Sequence, residues 1–548
     1  MKYDPTSGAR FPADSMQHAW RQLITAALVL LCLVGVFMRF YRLDAHELWF
    51  DEVCSIFMIH NDLADVNSPA VQDGNKYFDS NPPLYYESLK VWAKVCGVFP
   101  LSLRLFSVFW SVLSLPLFYQ LARRFCGSKA ALCAVAMMAL SPFHLWYAQE
   151  ARMYSQAACF GIASTLFFML ALEKKRWQWW AGYFCASAVL MEVSYYSVFL
   201  LVSHGAALIY LRRKQESKEW LLCVASLALL FARTLLVIVQ AQLEMLRSAF
   251  WLTYEWRFDA VVLFKTLQVF MLGYTGTALG YAVVTVAPIF LATSWLKTKP
   301  RREQLLPIIF LGVPLAVVFG YSACRQPIML PRQLILFSPF LYIVIAQASA
   351  GLVGLRRRVV IGTLFVLLLL GVINYFRDIV SPWHMRPGVH VKRPISPLVN
   401  LWLQERKRAD AYGVSNYGLR ATFRYYLHQT DPQAHDSVPC YYFYIPGKDF
   451  EFELHLPFSQ SIRRYIPVNV LGQPLRAYGM KRCWLFTTSW DRDGTMSYND
   501  RLVYQWFKNK YRSLKEIYYE GVWMTLFDVS QEKVRSPVVS TERTVIGT

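Results

Sequence analysis

Along the chain, apolar runs alternate with short basic clusters. The runs cover residues 23–38, 100–121, 130–148, 156–172, 178–193, 195–211, 219–240, 279–296, 304–321, 333–354 and 359–375. Crossing the hydrocarbon core takes about 20 apolar residues, so this pattern predicts about eleven transmembrane helices. If the runs cross in turn, Arg21, Arg123 and Arg124, Lys174 to Arg176, Arg212 to Lys214, Lys297 to Arg302 and Arg356 to Arg358 share one side. The positive-inside rule makes that side the cytoplasm. The first run carries no charge from Leu23 to Met38 and is followed by Arg39, Phe40 and Tyr41, with no small-residue cleavage site. It reads as an uncleaved signal anchor.

Two further stretches are predicted to be helices outside the membrane core. Counting Phe258 to Tyr274 as a crossing would throw Lys297, Lys299, Arg301 and Arg302 to the outer side, so this segment is expected to lie on the outer surface as an amphipathic helix. Residues Pro82 to Val98 are expected as a half-buried outer helix, because proline is tolerated in a first helical turn. An odd number of crossings then places the chain after Arg377 outside. That tail of roughly 170 residues is long enough for one small α/β domain. Helical patterns cover Leu398 to Arg408 and Tyr417 to His428, and strand patterns cover Val438 to Ile445, Cys483 to Thr488 and Gly521 to Phe527. The expected organisation is a membrane domain over residues 1–376, whose first outer loop is 39–99, and an extracytoplasmic domain over 377–548.

Composition agrees with the pattern. Of 548 residues, 55% are hydrophobic and only 17% charged, against roughly a quarter charged in an average soluble domain. The net charge of +21 would suit nucleic acid only on a soluble basic face; here the cations sit between apolar runs, so no nucleic-acid partner is expected. The eleven cysteines form no CxxC pair and no Cys/His metal spacing. A transporter or flippase of a lipid-linked sugar is the rival reading, but such proteins show repeated halves with broken helices, and no repeat is visible.

Polar residues that need a reason to be there recur at the predicted outer ends of the runs. Asp51 and Glu52 close the stretch RFYRLDAHELWFDE, beside the interfacial aromatics Trp49 and Phe50. Asn81, Pro82, Pro83, Leu84, Tyr85 and Tyr86 make a rigid turn into a helix. Gln149, Glu150, Ala151, Arg152, Met153 and Tyr154 follow the run 130–148, and Arg325 and Arg332 lie in CRQPIMLPRQ, with Arg104 near the start of its own run. Charged groups at a membrane edge are expensive and tend to be paired or functional. Asp51 could take a proton from a hydroxyl nucleophile, and arginines could hold and stabilise a departing phosphate. The bland alternatives are ion pairs and lipid head-group contacts for the arginines, and satisfied core positions for His144 and His204. Glu150 and Arg152, two apart on a helix, would not face each other.

Together RFYRLDAHELWFDE, NPPLYY, LRLFS, SPFHLWYAQEARMY and LPRQLILFSPFLY, in that order, resemble the membrane glycosyltransferases of the dolichyl-phosphate-mannose protein mannosyltransferase superfamily. The resemblance is to the bacterial branch, which includes the lipid A aminoarabinose transferases, and it spans Leu23 to Tyr342. It implies a GT-C fold in an inner membrane, a polyprenyl-phosphate-linked sugar as donor, inversion at the anomeric carbon, and a lipid, glycan or protein acceptor. Residue by residue, it implies Asp51 as base and Glu52 as its orienting or metal-supporting neighbour, any metal being a divalent cation. It further implies Arg104, Arg152 and Arg332 near the donor phosphate, while Asn81, Tyr85, Glu150, Tyr154 and Arg325, from the polar stretches above, are expected to line the substrate pocket. Many relatives carry His or Lys before the double proline; Asn81 can offer a phosphate only a neutral hydrogen bond.

Overall fold

The computed structural model describes residues 13–60, 81–232, 236, 261–296, 300–325, 328–381, 395–407, 409–415, 417–438, 440–444, 465–467, 480–488, 498–519, 521–532 and 542–546. Prolines and glycines set many of the boundaries. Helix α1 (Ala13–Phe40) is followed by α2 (Phe50–His60), then by α3 (Leu84–Cys96), which starts directly after Pro82 and Pro83. Helix α4 (Pro100–Leu140) opens on a first-turn proline and bends at Gly127, whose φ of 72° interrupts the helical backbone. A left-handed φ favours glycine because any other L-residue brings its Cβ against the following carbonyl. Ser141 then breaks the helix and caps α5 (Pro142–Ala148) through the His144 N–H. Helices α6 (Tyr154–Lys174), α7 (Trp177–Met191), α8 (Ser197–Leu211), α9 (Lys214–Leu230), α10 (Val262–Leu272), α11 (Ala278–Leu296), α12 (Leu306–Cys324), α13 (Ser338–Ala350) and α14 (Gly354–Phe376) complete the helical body.

Among the described residues the predicted apolar runs fall largely on helices, but the helix lengths do not support eleven crossings. Among the described residues, four helical stretches are long and apolar enough to span a membrane: Pro100–Leu140, Tyr154–Lys174, Arg302–Cys324 and Gly354–Phe376. An apolar run also counts residues outside its helix. The run 333–354 starts in a turn and a 3-10 segment at Ile335–Phe337, leaving 13 residues in α13; α7 and α8 have 15 each. These fall short of the roughly 20 that a crossing takes. Within the expected segment 258–274, α10 is helical over Val262–Leu272, with Thr266, Val269, Phe270, Met271 and Leu272 buried and Phe264 exposed. Lys297, Lys299, residues 258–260 and most of 231–240 lie outside the described residues.

Helix α6 is the centre of the body, with 89% of its most apolar window buried, whereas α14 has 28% and lies at the periphery. Helices α1 and α4 approach so closely at Gly35 that a Cβ there would stand 2.5 Å from the Ala139 carbonyl oxygen. Beside this contact Arg39 is fully buried, donating to Ser111 Oγ (2.8 Å) and to the carbonyls of Gly35 (2.6 Å) and Ala139 (2.7 Å). Arg39, which follows the first apolar run in sequence, is a clamp between two helices.

The tail folds around a seven-stranded mixed sheet of order β3-β2-β1-β4-β6-β5-β7. Its strands are β1 (Ala411–Val414), β2 (Cys440–Tyr444), β3 (Tyr465–Pro467), β4 (Arg482–Thr488), β5 (Arg512–Tyr519), β6 (Val522–Asp528) and β7 (Glu542–Ile546), with β1 parallel to both β2 and β4. Alternate residues point to opposite faces. Tyr412, Val414, Trp484 and Phe486 pack with Trp402 of α15 (Ser396–Glu405) and with Leu419, Phe423 and Leu427 of α16 (Tyr417–Thr430). Ala411, Tyr441, Phe443, Cys483 and Leu485 pack on the other face with Val503 and Phe507 of α18 (Tyr498–Lys510), while the short α17 (Pro432–Ser437) joins the first face through Ala434. The expected helices at 398–408 and 417–428 and the strands at 438–445, 483–488 and 521–527 correspond to α15, α16, β2, β4 and β6; Arg408, Pro439 and Ile445 lie outside the described residues. Strands β1 and β5 and helix α18 were not anticipated.

Candidate active site

The acidic pair begins helix α2, where Asp51 and Glu52 occupy the first turn. Consecutive residues on a helix diverge by roughly 100°, so the two carboxylates point apart. Glu52 turns inward and is fully buried against Arg104, which is itself 1% exposed. Arg104 Nε donates to Glu52 Oε1 at 2.8 Å and Nη2 to Oε2 at 2.9 Å, the forked geometry that makes arginine–carboxylate pairs strong. The remaining N–H groups of Arg104 go to the carbonyls of Leu43 (2.9 Å), His46 (2.7 Å) and Glu47 (3.0 Å). A guanidinium has five N–H donors, and all are engaged. Glu52 also accepts from the backbone N–H of Ala151 (3.0 Å) and of Trp49 (3.4 Å).

This geometry changes two expectations. Arg104 keeps no N–H for a donor phosphate; it staples the loop 43–47 to helix α4. Glu52 fills the roughly four acceptor positions of a carboxylate with Arg104 and two backbone donors, so a metal-supporting role does not fit it. No group of three His, Cys, Asp or Glu side chains suited to a metal occurs among the described residues.

Asp51 turns the other way and keeps 16% of its side chain exposed, facing Arg332 at 3.2 Å. Arg332 comes from the turn between α12 and the 3-10 segment, far away in sequence. Burial alone opposes its charge, but Tyr154, Asp51, Tyr147 and Glu150 around it more than offset this and hold its pKa above the ordinary arginine value. Arg152 supplies a second cation: its Nη1 donates to the Asp51 carbonyl (3.3 Å) and to the Tyr86 hydroxyl (3.1 Å). The helix α3 that carries Tyr86 is fixed at its start by Leu84 N–H donating to the Glu192 carbonyl (3.1 Å).

Of the other expected pocket residues, Tyr154 and Glu150 are buried beside this cluster, and the Tyr154 ring stacks edge-on with Tyr147 at 4.6 Å. Asn81 lies partly buried at the mouth of α3. Tyr85 packs against Phe106 and lies close to Arg152, Glu52 and Glu150, while its neighbour Tyr86 accepts from Arg152 directly. Arg325 stands exposed at the end of α12, with no contact to the cluster among the described residues. Gln149 was not singled out alone, yet it donates to the carbonyls of Met38, Arg39 and Tyr41 and accepts from the Tyr375 hydroxyl, fixing the end of α1 beside the site. His144 and His204 are core residues, bonded to Ser338 and to Thr165 and Tyr183.

A helical body, four of whose helical stretches are long and apolar enough to span a membrane among the described residues, thus carries an acidic and basic cluster at the start of α2, with a small mixed-sheet tail. Residues 80–238 match the family described as dolichyl-phosphate-mannose-protein mannosyltransferase, which bears out the resemblance carried by the motifs. Among solved structures the chain is similar to ArnT from Cupriavidus metallidurans in the apo state, at 14% identity and a TM-score of 0.58, over 94% of this chain and 99% of that one. It is similar also to the same protein bound to undecaprenyl phosphate, at 14% identity and a TM-score of 0.55, over 86% and 93%. At that identity the likeness is one of fold. No curated protein matches by sequence. The family match includes Asn81, Arg104, Glu150, Arg152 and Tyr154 but not Asp51 or Arg332, which join the cluster through the fold.

Proposed function

We propose that the protein is an inverting glycosyltransferase that moves a sugar from a polyprenyl-phosphate donor to a hydroxyl on a lipid, glycan or protein acceptor. The reaction takes place at the outer face of an inner membrane, where the domain 377–548 also lies. The observation that carries this reading is the division of labour within one acidic pair: Glu52 is consumed by its clamp with Arg104, while Asp51 is accessible and flanked by Arg332 and Arg152. In this reaction Asp51 accepts the proton of the acceptor hydroxyl as its oxygen attacks the anomeric carbon. The bond from that carbon to the phosphate oxygen breaks, and the polyprenyl phosphate leaves with the electron pair. Arg332 and Arg152 stabilise the charge that grows on it. Because attack and departure occur on opposite faces, the anomeric configuration inverts. That ArnT has been crystallised with undecaprenyl phosphate supports the donor class; neither sugar nor acceptor is selected by any residue of the cluster.

The test is a reconstituted membrane supplied with polyprenyl-phosphate sugars, with products read by mass spectrometry and compared with envelope lipids and glycans from cells with and without the protein. Transfer to a hydroxyl with release of polyprenyl phosphate is expected. Movement of the intact lipid-linked sugar between leaflets without transfer would favour a flippase instead.

A further inference from the structure

The loop that delivers the acidic pair is held from two sides, and one of them is the C-terminal domain. On the membrane side Arg104 fixes the carbonyls of Leu43, His46 and Glu47. On the other side the Glu47 side chain reaches the start of helix α15 (Ser396–Glu405). There it accepts the backbone N–H of Ile395, the backbone N–H of Ser396 at 2.9 Å and the Ser396 hydroxyl. A carboxylate at a helix start answers both the unpaired first-turn N–H groups and the positive end of the dipole. The next residue, Leu48, donates its N–H to the Tyr426 hydroxyl of α16 at 2.7 Å. Phe50, adjacent to Asp51, packs against the core of the helical body and against the core of the C-terminal sheet. The backbone from 47 to 50 thus bridges two hydrophobic cores, and Asp51 is the next residue.

We infer that Glu47 and Tyr426 are positioning residues, through which the C-terminal domain sets the place of Asp51 in the catalytic cluster. The inference rests on Asp51 acting as the base. A domain that only recognised an acceptor would have no need to bond the backbone of the loop carrying that base. Both contacts lie within four residues of Asp51, so releasing them shifts the start of α2, and the Asp51 carboxylate with it, relative to Arg332, which comes from a distant segment. The consequence is a selective loss: the proton-accepting step suffers and donor binding does not.

The experiment uses the full-length protein in lipid nanodiscs, with steady-state transfer and donor titration for Tyr426→Phe, Glu47→Ala, Glu47→Gln and, in parallel, Asp51→Asn. Tyr426→Phe deletes one hydroxyl without leaving a cavity; its kcat should fall about 10-fold, on the scale of one net hydrogen bond. Glu47→Ala should lower kcat about 100-fold, as a displaced catalytic group can. Glu47→Gln, which keeps one oxygen for the α15 N–H groups, should recover most of it. Donor KM should stay within about 2-fold throughout, as expected when only transition-state interactions are lost. Hydrogen exchange of residues 43–52 should speed up in Glu47→Ala and not in Asp51→Asn. An inactive Asp51→Asn beside wild-type kcat in Tyr426→Phe and Glu47→Ala would overturn the positioning role and leave the base standing. An active Asp51→Asn would instead remove the base, and with it the premise of this inference.

Discussion

Asp51 and Glu52 are neighbours in sequence with opposite fates, because a helix turns consecutive side chains away from each other. Glu52 enters a buried site where Arg104 and two backbone N–H groups complete its shell. Breaking such a buried pair from one side leaves an uncompensated charge and costs about 3–5 kcal/mol. Glu52→Ala should therefore reduce folded yield and lower the melting temperature of the purified protein; an unchanged melting temperature would contradict the clamp. Arg152 makes a different prediction, since its Nη1 spans the Asp51 carbonyl and the Tyr86 hydroxyl. Lysine keeps the charge but not the planar fork, so Arg152→Ala should raise the donor KM more than Arg152→Lys does. Equal donor titrations for both variants and wild type would remove Arg152 from phosphate recognition. The sequence named Asp51, Arg152 and Arg332 because charge at a membrane edge demands a reason. It assigned Arg104 to the phosphate because nothing in a linear pattern reveals that the carbonyls of residues 43–47 will fold over it. Equally hidden was that Tyr86, not only Tyr85, is buried beside Arg152 and accepts its hydrogen bond.

At the level of elements, apolar periodicity located the helices and misjudged their lengths. Hydropathy counts the residues of a turn or a 3-10 segment together with those of the helix, which is how the run 333–354 hides the 13 residues of α13. The non-helical backbone at Gly127 divides Pro100–Leu140 into two helical segments, near the boundary expected between the runs 100–121 and 130–148, and Ser141 ends the second of them before the short α5. In the sheet, β4 and β6 were legible as compact apolar runs. Strand β1, only four residues long and containing Gly413, is made by its neighbours on both sides, and β5 carries Arg512, Lys515 and Glu516, which mask its alternation. The contact of α1 with α4 gives a test at this scale. With Ala139 pressed against Gly35, Gly35→Val must force the two helices apart, an overpacking that costs about 1–3 kcal/mol. A lower thermal midpoint is expected, with Arg39 losing its carbonyl partners; a midpoint equal to wild type would show that α1 docks elsewhere.

At the scale of the whole molecule, the account joins a helical body, a mixed-sheet domain and a loop held between them. Its topology is testable: reporters fused after Arg377 should respond on the outer side, and those after Arg124, Arg176 and Arg358 in the cytoplasm. A cytoplasmic C-terminal domain would separate it from the face where the donor is proposed to react. The division into body and tail was legible from the change of composition near residue 377, whereas the bonding of the tail to Glu47 and Leu48 was not, since those contacts join positions more than 300 residues apart. The central claim is that Asp51 accepts the proton, and substitution by asparagine tests it most directly. Asparagine keeps the size of the side chain and can still bond Arg332 through its amide oxygen, while losing the basic carboxylate. Sugar transfer by purified Asp51→Asn in nanodiscs, with donor binding and thermal midpoint measured alongside, should fall by at least the roughly 10²- to 10⁴-fold contributed by a general base while both controls match wild type. Wild-type turnover by Asp51→Asn would contradict the account.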